Sequence, residues 1–310
     1  MNLNHKVLFI IGATATGKSQ KAIEIAQKFN GVIINCDSVQ FYHDLLIGSA
    51  APHLNDQQKV PHYLYSYVKA PIEMTAGEFI REFYNLIQSE KFQLKHQGKP
   101  LILVGGTGFY IQALEKGVYN VPEINPQVKK EIQYFIENGG AEAAYKELIS
   151  FDPETKIHAN DWYRIGRALE IKRVFNLKMS ELKEQAENDA NKSKLPFPYI
   201  KIGLEINTEK HLDIIQKRSD LMIKQGLVQE TQNIIDQGFS DWAPLNSVGY
   251  FEVKKYLNGE IIKSNLSAAI TLSTKQLVKK QKTWFKRDKD IYWMDALAPD
   301  QKNIITQFLN

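Results

Sequence analysis

A single cysteine, Cys36, stands among 310 residues. That excludes a disulfide framework and any metal site built from several thiolates, and it fits a reducing cytosol. No apolar run approaches the roughly 20 residues that a membrane-spanning helix requires. The first apolar run, Val7 to Ile11, is too short for a signal segment and enters a glycine-containing loop directly. No targeting peptide is therefore expected, and the expected compartment is the cytoplasm. A large excess of one charge is also missing. The net charge is +4, too small to establish a nucleic-acid partner by itself, so the placement of charge matters more than its sum. There is no internal repeat. What remains, 43% hydrophobic and 24% charged residues, is an ordinary globular composition, with length for one main domain and a smaller one.

The most informative stretch is Gly12-Ala13-Thr14-Ala15-Thr16-Gly17-Lys18-Ser19. It has the spacing of a phosphate-binding loop, with a strand-like run before it. After it, Ala22, Ile23, Ala26 and Phe29 recur at helical spacing. Glycines at 12 and 17 permit a tight turn whose N–H groups, at a helix N-terminus, point at phosphate oxygens. Lys18 can reach the terminal phosphates, and Ser19 can ligate a magnesium ion.

Two further buried strands follow, at 31–35 and 101–104, alternating with helical stretches at 78–97 and beyond. The expected fold is α/β: a parallel sheet of the P-loop NTPase kind flanked by helices, with its ligand site at the C-terminal strand ends. From about residue 125 the pattern turns almost wholly helical, with breaks at Gly139-Gly140 and Asp152-Pro153. Val118 and Pro122 mark entry to this region, and the polar stretch 181–194 with Pro196 and Pro198 marks exit. The expected division is a core of 1–122 and 197–310 and a helical insertion of 123–196. Strands are expected again at 199–206 and 291–294, with helices at 209–237 and 262–286.

Three constellations bear on chemistry. Asp37-Ser38-Val39-Gln40 follows the second strand. Such a sequence is a common turn or cap, yet here a carboxylate could also ligate magnesium or act as a general base. Gly105-Gly106-Thr107-Gly108 ends the third strand, where an ATPase often places an aspartate. It reads as a close backbone approach to a ligand, with Thr107 as a hydroxyl contact. Lys275, Lys279, Lys282 and Lys286 step by four, three and four onto one helix face, with Leu277, Val278, Trp284 and Phe285 on another. A basic stripe with few acidic neighbours reads as a nucleic-acid contact or as a solvated face. Arg164 and Arg167 share a face within the insertion and carry the same two readings. Arg218 does not stand out by spacing.

Together these segments resemble the tRNA dimethylallyltransferase family, also called tRNA isopentenyltransferases. The resemblance rests on GATATGKS at 12–19, DSVQFY at 37–42, IGSAAP at 47–52, VPHYL at 60–64 and PLILVGGTGFY at 100–110. It continues in NDWYRIGRALE at 160–170, RSDLMIKQGLVQE at 218–230, VGYFE at 248–252 and TKQLVKKQKTWFKR at 274–287. The resemblance implies transfer of a dimethylallyl group from its diphosphate to N6 of an adenosine 3′ of the tRNA anticodon, with diphosphate released. It implies that the 12–19 loop holds the prenyl diphosphate with magnesium on Ser19. Asp37 would be the general base, Thr107 a substrate-positioning residue and Arg218 a diphosphate contact. Ser38, Val39 and Gln40 would hold the base. The segment Tyr163, Arg164, Ile165, Gly166, Arg167 and the four lysines would grip the anticodon stem-loop. A monomer without an obligate protein partner is expected. The same chemistry on free adenine nucleotides, and a small-molecule kinase, are the rival readings. His43, Ala51, Asn176-Leu177, Lys275 and Lys280 depart from residues usual in the family; at Lys275 and Lys280 the bidentate arginine fork is lost.

Overall fold

A computed structural model describes residues 4–117, 124–188, 195–298 and 303–310. The chain divides into two compact units, Met1–Gln112 with Pro196–Asn310, and Ala113–Leu195. Val118, Pro122 and the 189–194 part of the polar stretch lie outside the described residues.

The larger unit is built on six parallel strands: β1 (Val7–Gly12), β2 (Val32–Asn35), β3 (His62–Tyr63), β4 (Leu101–Gly105), β5 (Tyr199–Glu205) and β6 (Ile291–Asp295). Their spatial order is β3-β2-β4-β1-β5-β6. β1 is central, with Val7 opposite both Leu101 of β4 and Tyr199 of β5. Every residue of β1, β2 and β4 is buried, which is why these strands read as unbroken apolar runs rather than alternating ones. Leu8, Ile10 and Ile102 pack with Ala22, Ile23 and Ala26 of the helix Lys18–Phe29 in one core. The short β3 lies in a stretch with no strand period of its own and pairs only through Ile33 and Ile34.

The long helical stretches are interrupted where one residue offers a stop. The 78–97 region is two helices, Ala76–Gln88 and Glu90–His96, because the Ser89 hydroxyl accepts the Phe92 N–H and starts the second. The 209–237 region is likewise two, Thr208–Gln225 and Leu227–Asp236. They are divided at Gly226, whose φ of 106° only glycine adopts readily. Lys275, Lys279 and Lys282 of the basic stripe lie on Leu266–Phe285, and Lys286 is its C-cap.

The smaller unit is helical: Pro126–Phe151, kinked at Gly140, then Trp162–Phe175 and Met179–Asn188. Its core joins Ile132, Ala144 and Leu148 to Ile165, Ala168 and Leu169. Among the described residues no helix is long and apolar enough to cross a membrane.

Candidate active site

The phosphate loop runs from the end of β1 into the helix Lys18–Phe29. Gly12 has φ 141°, and a Cβ there would stand 2.5 Å from the Leu204 carbonyl of β5. Gly17 caps the helix at φ 79°. The Thr16 hydroxyl donates to the Ala13 carbonyl at 2.9 Å, and the Lys18 amine donates to the same carbonyl at 2.7 Å. Lys18 is thus folded back along the loop.

Thr14 is held from both sides by helices far away in sequence. Its N–H donates to Gln281 Oε1 at 2.8 Å, and its carbonyl meets His211 Nε2 at 2.9 Å. Gln281 Nε2 also donates to the Gly106 carbonyl at 3.0 Å, so one amide ties the loop after β1 to the loop after β4. Close approach at the Gly105–Gly108 run is made by the protein itself. A Cβ on Gly105 would overlap the Cys36 carbonyl, one on Gly106 the Gln281 amide, and one on Gly108 the Trp284 ring. These glycines admit other parts of the protein to close contact.

Asp37 follows β2. Its N–H donates to Asn35 Oδ1 at 2.8 Å, and its Oδ1 accepts the Val39 N–H at 3.0 Å. The turn and the carboxylate thus belong to one structure. Thr107 Oγ1 accepts the Ser38 N–H at 3.0 Å and donates to Ser38 Oγ at 3.2 Å, locking the ends of β2 and β4 together. Gln40 Nε2 donates to the carbonyls of Ser49 and Ala50 at 2.9 and 3.0 Å.

Electrostatics join the three charged candidates. Burial pushes the Lys18 amine down to about 8, opposed by the Asp37 charge and reinforced by the Arg218 charge. Burial also lowers Arg218, again opposed by Asp37. Two partly desolvated cations therefore face one carboxylate, an arrangement short of negative charge until an anion arrives. Arg218, invisible by spacing, is placed here by the helix Thr208–Gln225.

Lys18 keeps its charge below about pH 8 and loses it above. A reaction that needs this cation therefore loses kcat/KM for its anionic substrate as pH rises through about 8, measured on the free enzyme's profile. A profile flat to about pH 10 would remove the Lys18 amine from that role.

Ser19 is exposed on the first turn of its helix. Among the described residues no group of three or more His, Cys, Asp or Glu could hold a metal. The Ser19 hydroxyl offers one hard oxygen, a ligand of the kind that magnesium takes alongside phosphate and water.

The four lysines line one groove of 320 Å³ between the helices Thr208–Gln225 and Leu266–Phe285, together with His211 and Thr283. In the smaller unit Tyr163 is 82% exposed. Arg164 pairs with Asp161, and Arg167 with Glu170 at 2.9 Å. Ile165 and Gly166 are core instead: Ile165 is buried, and a Cβ on Gly166 would stand 3.2 Å from Ile136. They shape the unit's interior and present no side chain for RNA contact.

The IPP transferase family model matches residues 40–288. The chain belongs to the IPP transferase family. It is 43% identical over 308 residues to the tRNA dimethylallyltransferase of Bdellovibrio bacteriovorus, with 98% of each chain covered. It is 37% identical to that of Synechocystis, covering 98% of this chain and 95% of the relative. Among solved structures, a eukaryotic dimethylallyltransferase described as acting on tRNA superposes with a TM-score of 0.76 at 28% identity. That match covers 98% of this chain and 77% of the other. The tRNA isopentenylpyrophosphate transferase of Bacillus halodurans gives 0.68 at 26% identity, covering 98% and 94%. The α/β, P-loop NTPase-like fold expected from the sequence is the fold of this IPP transferase.

Proposed function

We propose that this IPP transferase moves a dimethylallyl group from dimethylallyl diphosphate to N6 of the adenosine 3′ of the tRNA anticodon, and that it does so as a cytoplasmic monomer. The observation that carries the reading is the phosphate loop at 12–19 in a chain that matches tRNA dimethylallyltransferases over 98% of its length, with Lys18 and Arg218 buried and influenced by the Asp37 charge. The relatives' shared name supports tRNA over a free nucleotide as acceptor.

An allylic diphosphate ionises readily once its leaving group is stabilised. The C1–O bond breaks, and its electron pair leaves with diphosphate. The loop 12–19, Lys18 and Arg218 receive the developing charge. Magnesium held by Ser19 would add electrostatic stabilisation to the same oxygens. The N6 lone pair forms the new N–C1 bond, and the N6 proton goes to Asp37. Ser38 and Gln40 hold the base, which must leave its stack to reach them. The lysine groove, the exposed Tyr163 and Arg164 and the half-buried Arg167 grip the anticodon stem-loop backbone and its unpaired bases.

The test supplies purified protein with dimethylallyl diphosphate, magnesium and one of three acceptors: an anticodon stem-loop, AMP or ATP. Mass analysis of the nucleosides is expected to show one dimethylallyl addition on the stem-loop adenosine alone. Addition only to AMP or ATP would identify a free-nucleotide enzyme. Phosphate transfer from ATP without prenyl transfer would identify a kinase.

A further inference from the structure

Three consecutive backbone N–H groups, those of Leu46, Ile47 and Gly48, converge on one point. Such a nest ordinarily receives an anion from outside. Here it receives Glu230, from the helix Leu227–Asp236. Glu230 Oε2 accepts Leu46 and Ile47 at 2.9 Å each. Its Oε1 accepts Ile47 at 3.0 Å, Gly48 at 3.2 Å and the Tyr250 hydroxyl at 2.6 Å. Tyr250 is fully buried and lies against Gly48, where a Cβ would overlap its ring. The nest shapes a turn that closes with the Ala50 and Ala51 N–H groups on the Ile47 and Leu46 carbonyls. Ala50 sits in the left-handed region at φ 51°, a conformation a non-glycine residue keeps only under tertiary constraint.

The product of that turn is a pair of carbonyls, Ser49 and Ala50, and both accept from Gln40 Nε2. Two carbonyl acceptors fix which end of the Gln40 amide is nitrogen. The amide nitrogen is thereby engaged, and the amide oxygen is left to meet a substrate. An oxygen accepts from the exocyclic amine of adenine and repels the O6 carbonyl of hypoxanthine or guanine.

We propose that Glu230 is a positioning residue for acceptor selection: by filling the 46–48 nest it holds the turn that orients Gln40, so that Gln40 presents an acceptor to an amino-bearing purine. This rests on the reading above that the 37–40 loop receives the acceptor base. The helix carrying Glu230 follows the helix carrying Arg218 after the single residue Gly226. One helical pair thus supports both halves of the site.

The test measures binding for two anticodon stem-loops that differ only in adenosine or inosine at the modified position, and turnover for the adenosine one, since inosine has no N6 amine to prenylate. Wild-type protein is compared with Glu230→Gln and Tyr250→Phe. Wild type is expected to favour adenosine. In Glu230→Gln that preference falls about tenfold, because a neutral amide cannot accept three N–H groups and a hydroxyl as a carboxylate does. Tyr250→Phe removes one of the four donors and shifts the preference in the same direction by about threefold. The KM for dimethylallyl diphosphate stays within about twofold in both, a split that general unfolding would not give. Unchanged adenosine preference in both variants overturns the role of Glu230. So does an equal rise in KM for both substrates. The binding preference is read without turnover. An RNA-binding wild type that transfers no prenyl group would therefore defeat the proposed reaction while leaving Glu230 to be judged on binding.

Discussion

Asp37→Ala is expected to lower prenyl transfer by about a thousandfold, within the range that a positioned general base contributes. Stem-loop affinity should change little, because the lysine groove does not depend on this carboxylate. Asp37→Asn separates two roles. Asparagine retains an oxygen for the Val39 N–H, so the turn survives while the base is lost. If Asp37 takes the N6 proton, the asparagine variant is as slow as the alanine variant, measured as single-turnover rate with saturating RNA. An asparagine variant near wild-type activity would reduce Asp37 to a turn residue. The charge has a second effect. Asp37 raises the pKa of Lys18, which burial holds at about 8. Without Asp37 the Lys18 amine loses its proton at still lower pH. The residual activity of Asp37→Asn should therefore begin to decline below the wild-type limb.

Arg218→Gln is expected to cost about a hundredfold to a thousandfold in kcat, the scale for removing one group that stabilises developing negative charge. The cost falls mainly on the chemical step, since charge on the diphosphate grows as the C1–O bond breaks. Arg218→Lys restores the charge without the planar fork and should recover only part of the loss. There is a compensating gain in stability. Burial lowers both Lys18 and Arg218, the Arg218 charge lowers Lys18 further, and the Asp37 carboxylate offsets both. Removing Arg218 should raise the Lys18 pKa, moving the alkaline limb above pH 8. It should also raise the melting temperature of the ligand-free protein. A variant with wild-type kcat, or with an unmoved limb, would place Arg218 outside the reacting charge.

The parts of the site written locally were legible. The phosphate loop declares itself because glycine spacing, lysine and hydroxyl must be adjacent to work. The central strands declare themselves because burial on both faces demands unbroken apolar runs. The Gly105–Gly108 run was legible as a place of close approach, yet what approaches it is Cys36, Gln281 and Trp284, and the local sequence does not say so. Arg218 is one basic residue on a polar helix, and only its resemblance to the family's arginine brought it forward. Gln281, His211 and Glu230 were missed, since each acts across about 175 residues or more. Gln281 did leave a signal. It lies three residues after Val278 and four before Phe285, in the row of buried positions on its helix. A polar residue in such a row needs a partner.

The clamp on Thr14 gives the site a history as well as a shape. The Thr14 loop leaves the ribosome well before Gln281, which is 267 positions later. At typical synthesis rates of about 5–20 residues per second, the two are separated by roughly 13–53 s. Through that interval the phosphate loop has neither its amide tether nor, for most of the time, the His211 contact or the β5 partner of β1. A nascent chain therefore carries the most recognisable motif of the family without a formed anion site, and it acquires that site only as its last long helix docks.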